Sequence, residues 1–341
     1  MVKGKNVLVA GGSGLIGRQL VRLLKDKGAH VKVVDKKVSL DIASDESIED
    51  RQMDLTTMNN CMEACHDMDY VFNLLCIKGS PKAMKERPAS HLVPMLQFNT
   101  NLMQAARICK VSKYLYTSSV AVYEPKEMFS EDDVWKTFPS PHDRFAGWAK
   151  RIGELQAESY EIEYGWDGIS IVRPGNTYGP HDDFDSDGAM VVPSLIKKIL
   201  SGDKQITLWG DGSNVRDFTH CRDVAKGMML VMEKSPGATN PINLGSGGGC
   251  SIKELVEVIL ENVDEKPEVI WDTTKPSGDK IRVMNVDRAK SLGYNPSISL
   301  EQGIKETIDW YRNEKLDTAG YPIKKINSYL TMDIDEAVID D

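Results

Sequence analysis

Near the start of the chain three glycines, Gly11, Gly14 and Gly17 of VLVAGGSGLIGRQL, separate an apolar run from a segment of helical periodicity. A strand, a glycine turn and a helix N-terminus together make an anion site. Backbone N–H groups of the turn and of Leu15 and Ile16 point at a pyrophosphate, and the helix dipole favours negative charge. A second apolar run, HVKVV, ends at Asp35. A carboxylate placed there accepts from a ribose 2′-hydroxyl and repels a 2′-phosphate, so the spacing predicts a dinucleotide site that prefers NAD. Lys36 and Lys37 follow directly and leave NADP open.

Other residues carry chemistry further along. Thr117, Ser118 and Ser119 end the apolar run KYLYT, and Lys150 lies in a helical segment. His181 sits in a Gly/Asp-rich loop, where an imidazole titrates in a useful range; the plainer alternative is a loop histidine capping backbone groups. Arg216 follows the turn Gly210–Ser213. A guanidinium grips phosphate oxygens with two N–H groups at once, so Arg216 leads as a diphosphate ligand, with Arg282 and Lys280 behind it. Its alternative is an ion pair with Asp217 or Asp211. Trp209 offers a ring to stack near a base. Cys61, Cys65 and His66 lie close together, but no second ligand pair follows and structural zinc wants four ligands. A helix between two strands is the reading there, and no metal is expected.

The elements that must position these residues alternate. Strands are expected at Lys5–Ala10, His30–Val34, Tyr70–Leu75, Lys113–Thr117 and Gly168–Val172, with helices at Arg18–Lys27, Asn99–Cys109 and Trp148–Tyr160. Such alternation predicts an α/β fold of Rossmann type, a doubly wound parallel sheet covered on both faces. After Tyr178 the pattern loosens into helices near Val192–Leu200, Ser251–Val263 and Leu300–Asn313, with strand-like runs at Gln205–Gly210, Pro241–Leu244 and Glu268–Asp272. The expected division is a dinucleotide-binding domain over 1–177, rejoined at about 220–247. A smaller α/β lobe takes 178–219 and 248–315, and an extension with a frayed acidic end takes 316–341.

At 341 residues the chain can bury a substantial core, and 41% hydrophobic with 27% charged residues argues against disorder. A net charge of −9 makes nucleic acid or an anionic membrane a poor partner. No apolar stretch is long enough to span a bilayer, and MVKGKNVLVAGG runs straight into a strand with no signal-peptide pattern. Six scattered cysteines suit a reducing, cytoplasmic compartment.

The Gly-x-x-Gly-x-x-Gly spacing resembles that of the extended short-chain dehydrogenase/reductase family. Asp54 with Leu55, Asn73 to Cys76, and the run from Arg173 to Pro180 extend the likeness over about residues 5–313. Within that family the chain is most similar to GDP-L-fucose synthases and related nucleotide-sugar epimerases. Asn176 to Phe184 (NTYGPHDDF) carries this closer likeness, as do Trp209 with Gly210, Arg216 to His220, and Lys275 to Gly278. The resemblance implies adenine contacts at Asp54 and Leu55, and a loop beside the cofactor at Leu74. It places Pro174 and Asn176 beside the nicotinamide, and a nucleotide-contacting helix at Val192. It also implies a nucleotide-diphosphate sugar as ligand, bound by Asn176, Val192, Trp209, Arg216 and Arg282, and a homodimer built from two helices of each subunit.

The family's catalytic set is a Ser or Thr, a Tyr, and a Lys four residues after the Tyr, which puts both on one helix face. Ser119 and Lys150 match, but Ala146 stands at the tyrosine's place. Three readings are open: an engineered knockout, a natural variant with another acid/base, or a protein that binds cofactor and sugar without turnover. The candidate substitutes are His181, Cys76, His142, Lys150 and Tyr123. His181 leads, since in the resembling synthases this histidine is the acid of an epimerisation beside a ketone. Val120 and Ala121 stand where the family's dehydratases carry an Asp-Glu pair, which argues against dehydration. Ala121 also replaces the synthases' cysteine, which puts two-base epimerisation in doubt. A nucleotide-sugar epimerase or epimerase/reductase is the expectation, with GDP the favoured base; a silent or inactivated binder and a UDP-hexose 4-epimerase are the alternatives.

Overall fold

Along the apolar strands, alternate side chains point to opposite faces, and in the computed structural model of the chain both faces are buried. The structure describes residues 2–77, 86–186, 188–275 and 278–315. On one face Val7, Val9, Phe72, Leu115 and Val172 pack against Leu20, Leu24, Val224 and Met228. These last belong to the first helix, Leu15–Asp26, and to the helix Cys221–Lys234. On the other face Leu8, Val71, Tyr114, Tyr116 and Ile171 meet Cys61, Cys65, Phe98, Leu102 and Ala149. Those side chains come from the helices Met58–Cys65, Pro88–Ile108 and Arg144–Tyr164. Cys61 and Cys65 are thus core packing, while His66 points to solvent.

The sheet has seven strands, all parallel. Their order is Ile242–Leu244, Ile169–Pro174, Lys113–Thr117, Tyr70–Asn73, Asn6–Ala10, His30–Asp35 and Ile48–Gln52. The winding reverses between Asn6–Ala10 and Tyr70–Asn73, and a crevice opens at such a switch point beyond the strands' carboxyl ends. The expected α/β Rossmann architecture is therefore the observed one, and Pro241–Leu244 does return the chain to the sheet. Three elements differ from expectation. The edge strand Ile48–Gln52 (IEDRQ) has no apolar run to announce it. The helix Pro88–Ile108 starts well before Asn99, with a proline at its start and Pro94 inside it. The helix Cys221–Lys234 carries Gly227 mid-way, where an added Cβ would meet Leu244 Cδ2 at 2.8 Å, so close helix–sheet packing overrides helix propensity.

A third core lies among the helices Val191–Ile199, Ile252–Glu261 and Leu300–Lys315, around Ile196, Leu208, Leu255, Ile259, Ile304 and Ile308. Gln205–Trp209 and Glu268–Asp272 form a parallel pair at its side. A short four-stranded sheet runs Cys250–Ser251, Val215–Arg216, Ile281–Met284, Met128–Phe129. Its register sets Arg216 directly opposite Arg282. Residues 316–341, expected to be an extension with a frayed acidic end, lie outside the described residues, as do Pro276 and Ser277 of the likeness at Lys275 to Gly278. Among the described residues no helix is long and apolar enough to cross a membrane.

Candidate active site

At the switch point the glycine turn closes on itself. Gly11 has φ 82°, left-handed backbone that glycine adopts freely. A Cβ on Gly17 would stand 2.3 Å from the Gly11 carbonyl oxygen, so a side chain there would push the helix off the turn. A Cβ on Gly11 would meet the Leu74 backbone at 3.2 Å, which sets the Leu74 loop directly beside the turn. Gly14 precedes the first helix with no side-chain cap, leaving first-turn N–H groups without one. This cradle fits a pyrophosphate. Asp35 ends its strand half-buried and accepts from the Ser13 N–H at 3.3 Å; burial pushes its carboxyl above the ordinary range. Lys36 is tied to Asp54 at 3.0 Å. Of the expected adenine pair, Asp54 keeps its carboxylate at the surface, but Leu55 is core. The Leu55 side chain is only 3% exposed, because it completes the packing around Cys61.

The helix Arg144–Tyr164 brings up the rest. Glycines let it approach closely: a Cβ on Gly147 would lie 2.4 Å from the Ala121 carbonyl oxygen, and one on Gly153 would lie 2.2 Å from the Tyr116 hydroxyl. Lys150 is buried and donates to the Thr117 carbonyl at 2.8 Å and to the Leu75 carbonyl at 3.0 Å. Burial lowers its pKa below the ordinary lysine range. Ser119 Oγ accepts from the Ala121 N–H at 3.2 Å, capping the turn Val120–Val122. Lys150 thus bridges the strand end that leads to Ser119 and the Leu75–Cys76 loop beside the glycine turn. Ala146 stands half-buried one helical turn earlier.

The candidate substitutes fare differently. Tyr123 is 2% exposed, donates to Asn243 Oδ1 at 2.6 Å and accepts from Arg173. Burial pushes its phenol up to about 12, so it is a strut of the core and not a proton carrier, a correction to the expectation. The His142 ring is exposed. Cys76 is exposed on the loop whose Leu75 carbonyl holds Lys150. His181 lies elsewhere: its Nδ1 is 3.0 Å from the Arg18 guanidinium and its ring 4.8 Å from that of Trp310. Among the described residues it makes no hydrogen bond to Ser119, Lys150 or Cys76. Burial, then Arg18, pushes its pKa down to about 4, which disfavours an imidazolium acid at neutral pH.

Of the residues expected to bind a sugar nucleotide, Arg282 is occupied, holding Asp279 and Asp143, the latter at 3.0 Å, and Ser140 Oγ at 3.3 Å. Arg216 opposite it bonds its own strand's Val215 carbonyl and pairs with neither Asp217 nor Asp211. Those carboxylates are engaged by Ser246, Gly247 and Ser213. Among the described residues no carboxylate forms an ion pair with this half-buried guanidinium; Asp279 and Asp143 act on it from further off, and Arg282 stands beside it, a setting that suits an anionic ligand. Asn176 donates to the Asp217 carbonyl at 3.2 Å, and Pro174 ends the buried strand preceding it. Trp209 is exposed. The Val192 side chain is buried in the third core.

Residues 7–245 match the model of the NAD dependent epimerase/dehydratase family. The chain belongs to that family. It is 30% identical to GDP-L-fucose synthase 1 of Arabidopsis thaliana over 91% of this chain and 94% of that protein. Its fold is similar to the UDP-N-acetylglucosamine 4-epimerase of Methanobrevibacter ruminantium M1, solved with UDP-N-acetylmuramic acid. There the TM-score is 0.80 and the identity 26%, over 91% of this chain and 99% of that one. It is similar too to the UDP-glucose 4-epimerase of Thermus thermophilus with NAD, at TM-score 0.78 and 26% identity over the same shares. For a member of the NAD dependent epimerase/dehydratase family, the geometry adds residues that sequence reading passed over. Arg18, Asp41 and Trp310 surround His181. Asp143, at the start of the Lys150 helix, receives Arg282 and so ties that arginine to the helix. Arg18 stands next to Gly17, yet nothing local signals its contact with a residue 163 positions on.

Proposed function

We propose that the chain is an NAD-dependent epimerase or epimerase/reductase acting on a nucleotide-diphosphate sugar, running its carbon chemistry without the helical tyrosine. The observation that carries this reading is the Lys150 bridge. The ammonium is set between the Ser119 strand end and the glycine cradle, which is where a nicotinamide ribose and a sugar carbon would meet. Gly11, Gly14, Gly17 and Asp35 would hold the dinucleotide, which supplies hydride transfer when bound. Ser119 would hold a sugar oxygen, Lys150 would fix the cofactor ribose and supply positive charge, and Arg216 would take the diphosphate. The likeness to GDP-L-fucose synthase 1 supports a GDP sugar; the likeness to UDP-sugar epimerases supports the coarser class.

A second reading, a silent binder of dinucleotide and sugar nucleotide, is favoured by Ala146 and by the absence of a hydrogen bond between His181 and Lys150. One experiment separates the two. The protein is incubated in D₂O with NAD(H) and GDP-, UDP- and dTDP-sugars, 4-keto-6-deoxy forms included, and products are read by mass and proton spectra. Deuterium at C3 or C5 is the expected result. Inversion at C4 without label would move the reading to a hexose 4-epimerase. Neither label nor product, with ligand binding demonstrated, would overturn it in favour of the silent binder.

Exposed apolar side chains on the helix Arg144–Tyr164, among them Ile152, Leu155 and Ile162, support a homodimer.

A further inference from the structure

Arg18 and His181 come from segments far apart in the chain. Arg18 follows the last glycine of the dinucleotide cradle, and His181 stands in the loop after the short strand Asn176–Tyr178. Their contact is 3.0 Å, from an Arg18 terminal nitrogen to His181 Nδ1. A guanidinium is permanently charged and only donates. Nδ1 must therefore be the bare nitrogen, and the neutral ring carries its proton on Nε2. Arg18 itself is held firmly: Nε donates to the Ser13 carbonyl at 2.9 Å, and a terminal nitrogen pairs with Asp41. The Trp310 ring packs against the imidazole at 4.8 Å, and the His181 backbone is left-handed at φ 70°.

We propose that Arg18 is a positioning residue that fixes His181 as the neutral Nε2–H tautomer, so that what this histidine offers a ligand is a hydrogen-bond donor and not an imidazolium acid. The role at the sugar rests on the nucleotide-sugar reading above; the tautomer does not. The charged groups facing the ring are Arg18 and Arg22 from the first helix and Asp41 from the segment after Asp35; the two arginines oppose protonation and Asp41 favours it. Half-burial adds to the arginines, and the balance falls to about 4. A neutral donor needs no proton returned in each cycle: it stabilises negative charge on a ketone or enolate oxygen without proton transfer. It also couples one side chain of the cradle helix to the loop that carries His181.

The test is long-range ¹H–¹⁵N spectroscopy of the uniformly labelled full chain. The chain has six histidines, so the His181 signals are assigned by their loss in His181→Asn. His220 must be told apart, because burial lowers it to about 4 as well. The expected pattern near neutrality is protonated Nε2 with bare Nδ1. Arg18→Gln should raise the proton affinity of His181 about tenfold or more, one pH unit in its midpoint, and Arg18→Lys should keep it low. An Nδ1–H tautomer in the parent, or an unmoved midpoint in Arg18→Gln, would overturn the proposal. If Arg18→Gln does not fold, the tautomer of the parent carries the test alone: protonated Nε2 with bare Nδ1 supports the proposal, and an Nδ1–H ring overturns it. These spectra need no turnover. Should they come out as expected while the D₂O experiment gives no label or product, the enzymatic reading alone fails.

Discussion

Lys150 donates to the Thr117 carbonyl at 2.8 Å, so the ammonium is fixed to the strand end that leads to Ser119. One helical turn before it the side chain is a methyl group, that of Ala146. The bridge and the hydroxyl are in place while the phenol that would move the proton is absent.

Ala146→Tyr should therefore restore an acid/base group to an otherwise assembled site. Positioned general acid–base groups contribute roughly 10²–10⁴-fold, and the buried Lys150 would lower the new phenol's pKa. The expected outcome is a rise of about that size in NAD(P)H-linked reduction of a 4-keto sugar nucleotide, followed at 340 nm. An unchanged or lower rate, with dinucleotide still bound, would show that position 146 does not face the reacting carbon.

Asp35 accepts from the Ser13 N–H and closes the ribose side of the glycine turn. Asp35→Ser removes the charge that repels a 2′-phosphate and leaves Lys36 and Lys37 nearby. The ratio of NADP to NAD affinity should rise about tenfold or more, as each ~1.4 kcal/mol of removed repulsion is a factor of ten. Calorimetric titration of both dinucleotides measures it. A constant ratio would mean the carboxylate only braces the turn.

What could be read in the sequence was what is local. The glycine spacing and Asp35 announced the cradle because one strand, one turn and one helix make it. Arg216 and Arg282 were both recognisable as candidate phosphate ligands. That they face each other across two strands, with Arg282 consumed by Asp279 and Asp143, depends on register between distant segments. The same limit hid the Arg18–His181 contact and left Tyr123 looking like a proton carrier, when its hydroxyl is spent on Asn243 and Arg173. The edge strand Ile48–Gln52 escaped because IEDRQ is polar and gains its place by pairing with His30–Asp35. Leu55 and Val192 matched family positions, but burial gives their side chains to the core.

Leu155 is 53% exposed and Ile162 74% exposed on the helix Arg144–Tyr164, which packs beside the helix Pro88–Ile108 with its exposed Val93. A second copy of the same face would cover them. Leu155→Glu places a carboxylate in that contact and should turn a dimer into a monomer in light scattering, with the circular dichroism spectrum retained. A parent that is itself monomeric at micromolar concentration would end this reading.

His220 is 2% exposed, and its Nε2 finds no hydrogen-bond acceptor among the described residues. Its Nδ1 accepts from the Arg222 N–H and caps the helix Cys221–Lys234. Burial pushes its pKa down from 6.5 to about 4, although the Glu306 carboxylate 3.8 Å away pulls the other way. Between those two values the unfolded chain binds a proton that the folded chain refuses. The contribution of a neutral His220 is therefore fully present above pH 6.5 and is lost as pH falls towards 4. The gap corresponds to about 3 kcal/mol at most. His220→Asn keeps a capping oxygen and removes the titration. Urea unfolding at pH 7.5, 6 and 4.5 should show the parent losing stability more steeply than the variant as pH falls. Equal losses in the two would mean that His220 is protonated in the folded protein, paired with Glu306.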